Sequence, residues 1–389
     1  MATKQHKDIL TFRSASLYIH IPFCAKRCAY CDFFSTVQDS PLLFTTYIDK
    51  VLEDISFFKD LYLISHFDTV YIGGGTPSLL SPKDVFHLSN KISLSQKKKI
   101  KEFTVEANPE DITKEWLKSI SDGGVTRLSI GIQSLSNEVL KNENRRGSHF
   151  QTLKALEEVS IYWKSLLSLD FIAGLKDQNI ESLIEDLEVS IKVNPHHISL
   201  YELVSHSIES QKEIQKKEAI FNAGVSYIKK KGYIQYEVSN FSYEGKFECE
   251  HNKVYWHLGD YIGIGSGAVG NIKLVEDVVK GVRFTGKEDL NAYIKEENRL
   301  KAYSFEDIEN KDLLKDAIMM GFRLVSGINR DYFKKQFGVE LTHLIPKTLE
   351  KWKEKELLIF DGECIKLNKN GLLLLNTFLF NAFKEIDEN

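Results

Sequence analysis

The feature that most constrains the fold is a series of six apolar, strand-like segments. They begin at Ser16, Phe67, Glu102, Thr126, Ser168 and His196. Longer segments with helical spacing of apolar residues separate them, including YIDKVLEDISFFKDL and IESLIEDLEVSIKV. Apolar strands that alternate with amphipathic helices indicate a parallel sheet covered by helices. The sequence therefore predicts an α/β fold built on a partial (β/α)6 barrel, with an open, doubly wound sheet as the alternative.

Residues suited to chemistry fall late in each of these segments. In order, they are a cysteine cluster, the turn 73–77, Glu106 with Asn108, Gln133, Asp170, and Tyr201 with Glu202. Functional groups in parallel α/β folds gather at the carboxyl ends of the strands. We therefore expect one rim of the barrel to collect cysteines, a glycine turn, acids and amides.

The cysteine cluster lies in HIPFCAKRCAYCDFF, where Cys24, Cys28 and Cys31 have the spacing C-x3-C-x2-C. Three thiolates can bind zinc or an iron–sulfur cluster. Zinc would need a fourth ligand, which His20 could supply, but the remaining cysteines are isolated and form no second knuckle. A [4Fe–4S] cluster held by three cysteines leaves one iron open to another ligand. We therefore favour the cluster and keep a zinc-stabilised barrel as the alternative.

The segment CAKRCAYC resembles the signature of the radical S-adenosylmethionine (SAM) superfamily. That resemblance implies that the amine and carboxylate of SAM bind the open iron. It also implies that an electron from the cluster breaks the sulfonium C–S bond to yield a 5′-deoxyadenosyl radical. LYIHIPFC, GGGTPSLL, VEANPE, GIQS, LDFIAGL and ISLYEL together resemble the oxygen-independent coproporphyrinogen III oxidase group, from Leu17 to the C-terminal region.

This resemblance implies a set of site residues. The three cysteines would hold the cluster, with Tyr18 beside the cluster and SAM. Gly75 and Thr76 would contact SAM from the glycine turn, where the missing side chain allows close approach. The residues implied for the rest of the SAM pocket are Glu106, Gln133, Arg145 and Asp170.

Two features differ from the oxidase and are similar to the HemW-type haem chaperones. Phe33 stands where the oxidase has a further cysteine, and only 17 residues precede Tyr18. In addition, HNKVYW resembles the H-N-x-x-Y-W motif of the chaperone branch. Imidazole is a standard haem ligand, so the resemblance implies that His251 binds haem, with Cys249 as a second candidate. The oxidase, which converts two propionates to vinyl groups, is the alternative function.

The chain divides, by prediction, into an N-terminal tail (1–15), a barrel (16–285) with a haem-motif segment (237–270), and a C-terminal domain (286–389). Three helical segments and a hairpin on Asp361–Gly362 make that last domain winged-helix-like. The glycines of GIGSGAVG match a dinucleotide-binding pattern. Strand-like residues follow them where that pattern requires a helix, so we predict a tight loop beside the barrel mouth.

Composition limits the partners. The net charge of −4 and the alternating Lys and Glu of the candidate recognition helix argue against nucleic-acid binding. No segment reaches the roughly 18 apolar residues of a membrane span, and the N-terminus lacks an apolar signal core. We therefore expect a cytoplasmic protein. The resemblance implies haem, apo-haemoprotein recipients and a reductant protein for the cluster as partners.

Overall fold

A twelve-stranded mixed sheet forms the centre of the computed structural model, which describes residues 13–38, 40–204, 210–275 and 279–388. In spatial order its strands are β14 (Tyr303–Ile308), β13 (Val279–Gly286), β12 (Val269–Val275), β11 (Tyr261–Ile264), β1 (Arg13–Ile21), β4 (Ile64–Gly74), β5 (Glu102–Ala107), β6 (Arg127–Gln133), β7 (Leu166–Ala173), β8 (His197–Glu202), β10 (Asn240–Tyr243) and β9 (Tyr233–Gln235). The run from β11 through β1 and β4 to β8 is parallel, and the pairs outside it are antiparallel.

The six predicted strands are therefore confirmed as β1 and β4 to β8, with starts within three residues of the predicted ones. The sheet ends at β14 and β9 in the described part of the chain, so the barrel is partial, as predicted. The parallel strand β11 was not predicted. It pairs with β1 directly after the motif helix and brings its glycine loop to the carboxyl end of β1.

Helices connect the parallel strands and cover the sheet. They are α1 (Pro41–Leu61), α2 (Pro82–Leu94), α3 (Lys114–Asp122), α4 (Asn137–Asn142), α5 (His149–Tyr162), α6 (Ile180–Ile191) and α7 (Gln211–Lys230). Several begin at side-chain caps that satisfy free backbone amides; Ser210, for example, accepts from the Glu213 amide in a capping box. The longest, α1, buries Tyr47, Val51 and Phe58 at helical spacing against the sheet. Burying each such side chain stabilises the fold by about 1.5–3 kcal/mol.

The C-terminal region packs a second apolar core. The motif helix α8 (Glu250–Trp256) precedes β11, and α9 (Leu290–Lys295) connects β13 to β14 and packs in the first core. The elements of the C-terminal region are α10 (Asn310–Gly321), β15 (Ile328–Asn329), α11 (Arg330–Phe337), α12 (Leu341–Leu344), α13 (Pro346–Glu354), β16 (Leu358–Phe360), β17 (Cys364–Leu367), α14 (Lys369–Leu373) and α15 (Leu375–Glu388). At the centre of this core, Phe378 packs against Phe322 with tilted rings and against Trp352 edge to face. Strands β16 and β17 form the predicted hairpin at Asp361–Gly362, which confirms the helical, winged-helix-like character.

Strands of the main sheet extend across two of the predicted domain boundaries, those at residues 15 and 286. The main sheet continues past residue 286, because β14 pairs with β13 and ends at Ile308. Division of the chain at 286 stays a prediction about folding units. Of the predicted tail 1–15, residues 13–15 belong to β1 and the rest lie outside the described residues. Within the described residues, no helix has the length and apolarity needed to cross a membrane.

Candidate functional site

A cavity of about 400 Å³ opens at the carboxyl ends of β1 and β4 to β8. We call it the cysteine cavity. Of the eleven residues predicted for the site, nine line it. They are Cys24, Cys28, Cys31, Gly75, Thr76, Glu106, Gln133, Arg145 and Asp170. Residues that lie up to 146 positions apart in the sequence thus meet at one rim, as the strand pattern predicted; Tyr18 and His251 lie elsewhere.

Two short strands hold the cysteine loop in place. β2 (Phe23–Cys24) pairs in parallel with β3 (Thr36–Val37), which ties the two ends of the loop together. At its middle, the Ala29 amide donates to the Glu143 carbonyl at 2.9 Å, and the Asn144 amide group donates to the Arg27 carbonyl at 2.8 Å. The loop therefore rests on the turn that follows α4.

The three thiols suit a cluster better than a single ion. Among the described residues, no group of three or more His, Cys, Asp or Glu side chains is placed to hold one metal ion. In a cubane each thiolate binds a different iron, so the sulfurs need not converge on one point. The zinc alternative needs His20, but both of its ring nitrogens are engaged, Nδ1 with the Tyr18 hydroxyl at 2.9 Å and Nε2 with the Phe34 carbonyl at 2.8 Å.

The glycine turn after β4 packs directly on a cysteine. A Cβ atom added at Gly75 would lie 3.0 Å from the Cys24 Sγ atom and 2.6 Å from the Phe23 carbonyl oxygen. The neighbouring Thr76 hydroxyl lies 3.6 Å from the same sulfur. A side chain at position 75 would therefore push the turn away from the cysteine loop, which is the physical reason for glycine here.

Two half-buried carboxyl groups, Glu106 and Asp170, face the cavity. Glu106 accepts from the Tyr71 hydroxyl at 2.6 Å and from the Gly74 amide at 3.2 Å. Burial raises the pKa of Glu106 to about 7, and the negative charge of nearby Asp170 contributes to this increase. Asp170 accepts from the Ser129 hydroxyl at 2.8 Å, and burial raises its pKa as well. A cationic ligand in the cavity would favour the ionised form of both groups.

The guanidinium group of Arg145 lines the cavity and contacts the cysteine loop and the ends of two strands. Its Nη1 atom donates to the Tyr30 hydroxyl at 3.0 Å and lies 3.9 Å from the Cys28 Sγ atom. Its Nη2 atom donates to the Asn108 Oδ1 atom at 3.1 Å and to the Gly131 carbonyl. The guanidinium group therefore links the cysteine loop to strands β5 and β6.

Gln133 carries an unpaired acceptor. Its backbone is left-handed, with φ of 64°, which turns the residue at the end of β6. Its side-chain Oε1 atom is buried and has no hydrogen-bond partner among the described residues. Buried polar atoms in folded proteins are usually paired. An orphan acceptor on the wall of a cavity fits a ligand that brings a hydroxyl or an amine.

Sequence reasoning missed two tyrosines at this site. Tyr71 holds Glu106, and Tyr30 holds Arg145. Both had a signal in the sequence: Tyr30 directly precedes Cys31, and Tyr71 lies three residues before the Gly74–Gly75 pair. The predicted Tyr18 lies behind the cavity, where its hydroxyl contacts His20 and its ring centroid lies 6.2 Å from that of Tyr71.

His251 lies at the opposite end of the barrel. Helix α8 packs beneath the amino-terminal ends of the strands, and the imidazole is fully buried. Its Nδ1 atom bonds to the Thr69 hydroxyl and its Nε2 atom to the Tyr255 hydroxyl, each at 2.8 Å. Burial lowers the pKa of His251 to about 4, so the ring is neutral. Haem ligation here would require one of these hydrogen bonds to break, because neither nitrogen is free.

A buried ion pair fixes this motif segment. The Arg127 Nε atom donates to the Glu102 Oε2 atom at 2.9 Å, and Arg127 Nη2 donates to the carbonyls of residues 247 and 248. Glu102 accepts from the amides of residues 250 and 251 and from the Cys249 thiol at 3.2 Å. Cys249, the second haem candidate, is therefore also buried and hydrogen-bonded. Glu102 and Arg127 were not predicted to act together, although each begins a strand.

Two family models match the chain. The radical SAM superfamily model matches residues 18–189, and the HemN C-terminal domain model matches residues 308–374. The heme chaperone HemW of Buchnera aphidicola subsp. Acyrthosiphon pisum is 33% identical over 384 residues, which cover 95% of this chain and 99% of that relative. The chain belongs to the HemW haem chaperone family.

Other members and a solved structure agree with that assignment. The heme chaperone HemW of Escherichia coli K12 is 31% identical over 375 residues, covering 94% of this chain and 97% of that relative. The structure of coproporphyrinogen III oxidase (HemN) from Escherichia coli superposes with a TM-score of 0.80 at 20% identity, covering 97% of this chain and 92% of the oxidase. The oxidase thus shares the fold, whereas the HemW family shares the sequence. Membership of the radical SAM superfamily implies a [4Fe–4S] cluster and SAM.

Proposed function

We propose that this protein binds a [4Fe–4S] cluster, SAM and haem, and delivers haem to apo-haemoproteins. The observation that carries the proposal is the cysteine cavity, in a chain whose full-length relatives are named haem chaperones. An apo-haemoprotein recipient, a reductant protein for the cluster and a cytoplasmic location remain predictions that follow from this function.

Cys24, Cys28 and Cys31 would hold the cluster. When bound, the cluster would supply an open iron for the amine and carboxylate of SAM and an electron for its sulfonium C–S bond. The orphan Gln133 acceptor and the Glu106 carboxyl group suit the hydroxyls and positive charge of SAM. Gly75 allows the ligand to approach the backbone closely.

The second candidate function is that of an oxygen-independent coproporphyrinogen III oxidase. The observation that favours it is the structural likeness over nearly the whole chain, at a TM-score of 0.80. Against it stands Phe33, which is 65% exposed at the position where the sequence resemblance expects another cysteine. A large apolar side chain there cannot supply a thiol to substrate or cluster.

The cluster is tested by anaerobic reconstitution of wild type, Cys28→Ser and Cys364→Ser. Cys364 is a matched control, because it is a half-buried cysteine in β17, outside the cavity. We expect about four iron atoms per chain in wild type and in the control. Cys28→Ser should lose most of this iron together with the electron paramagnetic signal that appears on reduction. Zinc without iron in the wild type would contradict the proposal.

The function is tested by two assays on the reconstituted chain. Haemin titration should produce a Soret band, and that band should move to an added apo-haemoprotein. Incubation with coproporphyrinogen III, SAM and a reductant should leave the porphyrinogen unchanged. Formation of protoporphyrinogen would instead establish the oxidase function, and a wild-type chain that binds no haemin would refute the chaperone proposal.

A further inference from the structure

A second cavity, of about 400 Å³, lies between the end of α8 and the C-terminal helices α10 and α11. We call it the aromatic cavity. Its lining is mainly apolar, and the side chains that matter for the argument are Trp256, His257, Ile328, Tyr332, Phe333 and Phe337. It lies below the amino-terminal ends of the strands, at the other end of the barrel from the cysteine cavity. Apolar, aromatic pockets of this size are typical of small-molecule sites.

His257 is an available imidazole at this cavity. It follows directly on the HNKVYW motif and is exposed, in contrast to the fully buried His251. No hydrogen bond to its ring occurs among the residues the structure describes, and its closest aromatic neighbour is Tyr332, with ring centroids 6.1 Å apart. Partial burial lowers the pKa of His257, and the positive charge of Lys253 lowers it further. The ring therefore keeps a free lone pair at neutral pH.

A polar cavity of about 530 Å³ adjoins the aromatic one and shares His257 and Tyr332 with it. Three lysines, at positions 101, 253 and 273, line it together with three carboxylates, Asp68, Glu250 and Asp260. Lys101 now pairs with Asp68, and Lys253 pairs with Glu248 and Glu250. Lys273 donates to the Leu258 carbonyl. The imidazole therefore stands at the junction between an apolar, aromatic space and a polar one lined by lysines that carboxylates and a carbonyl now pair.

Trp256 adds an unpaired donor. Its indole Nε1 atom is buried and has no acceptor within the described ranges, although its ring faces the Arg323 guanidinium group at 5.7 Å. Buried indole N–H groups normally find a partner. The orphan donor and the unbonded imidazole thus belong to consecutive residues on the same cavity.

We propose that haem binds in the aromatic cavity with His257 as an axial ligand, and with its propionate edge toward the lysine-bearing polar cavity. The proposal rests on the haem-binding function proposed above and assigns that function a site. A flat, apolar macrocycle fits the aromatic walls, and a neutral imidazole fits its iron. The acidic propionates would take the place of the carboxylates that now pair with Lys101 and Lys253. His251 then has a structural role, because its ring nitrogens hold α8 to Thr69 and Tyr255.

The test is a haemin titration of the full-length chain, comparing wild type, His257→Ala and His87→Ala. His87 is a matched control: it is an imidazole on α2 with a side chain 44% exposed, outside the residues of both cavities. We expect His257→Ala to bind haemin at least about tenfold more weakly and with a shifted Soret maximum. Added free imidazole should restore the wild-type spectrum in this variant. His87→Ala should match wild type.

The possible outcomes separate this site from the function itself. If wild type binds haemin and His257→Ala keeps the same affinity and Soret maximum, the site assignment is wrong while the chaperone function stands. If wild type binds no haemin, the chaperone function itself fails. Because His257 is exposed, circular dichroism of the variant should equal that of wild type, and free imidazole rescues only a lost ligand, not a misfolded chain.

Discussion

The two ends of the barrel use similar residues in opposite ways. At the carboxyl end, Glu106 has its pKa raised to about 7 and Gln133 has an orphan oxygen. At the amino end, burial alone would raise the pKa of Glu102, but Arg127 and two backbone amides bring it below its ordinary value. The difference shows that the chain itself satisfies the buried Glu102 carboxylate, whereas the cysteine cavity keeps polar groups that only a ligand would satisfy.

Removing the cation at the amino end should have the largest effect. Arg127→Met leaves the Glu102 carboxylate buried and uncompensated beneath α8. We expect the free energy of unfolding to fall by about 3–5 kcal/mol, measured by urea denaturation. Asp122→Ala, which removes the exposed pair with Lys118, should cost less than about 1 kcal/mol. Equal losses for the two variants would show that the ends of the barrel do not differ as described.

The raised pKa at the carboxyl end should appear as a pH dependence of SAM affinity. A cationic ligand prefers the ionised form of Glu106, and this carboxyl group is largely protonated below its pKa of about 7. Affinity should therefore rise by about tenfold between about pH 6 and pH 8, measured by calorimetry on the reconstituted protein. Glu106→Gln should bind more weakly and lose this dependence. A wild-type affinity that is flat across this range would argue against Glu106 as the titrating group.

The smallest effect is expected at Tyr71, which contacts both ends. Its hydroxyl donates to Glu106, and its ring centroid lies 5.2 Å from that of His251. Tyr71→Phe removes a hydrogen bond that favours the carboxylate, worth about 0.5–1.5 kcal/mol. The pH midpoint of SAM affinity should therefore move upward, while urea stability changes little because the ring remains. An unchanged midpoint would show that the Tyr71 hydroxyl does not lower the pKa of Glu106.

Much of the carboxyl end could be predicted from the sequence because it follows from strand order. Residues that end parallel strands must meet at one rim, so Glu106, Gln133 and Asp170 needed no knowledge of side-chain packing. Partners that act through contact were missed, because no periodicity places the Tyr71 hydroxyl on Glu106 or the Tyr30 hydroxyl on Arg145.

The amino end of the barrel shows more clearly what could not be predicted from the sequence. The motif HNKVYWH contains two histidines, at positions 251 and 257, that are six residues apart and equivalent by composition. Helix α8 turns one of them into the barrel and leaves the other at the surface cavity. The motif therefore identified the segment proposed to bind haem. Only the packing of α8 against β4 showed which of its two imidazoles is free to act as a ligand.

The sequence by itself determined the parallel barrel, the cysteine loop and the rim where the predicted residues gather, because apolar periodicity and local spacing are properties of the chain alone. Only the tertiary structure decided which polar groups are satisfied. Burial, hydrogen-bond partners and pKa depend on atoms brought together from distant segments, such as Thr69 with His251 across 182 positions. Those contacts separate the Glu102–Arg127 network, whose buried charges the chain pairs, from the cysteine cavity, where the Gln133 oxygen has no partner among the described residues.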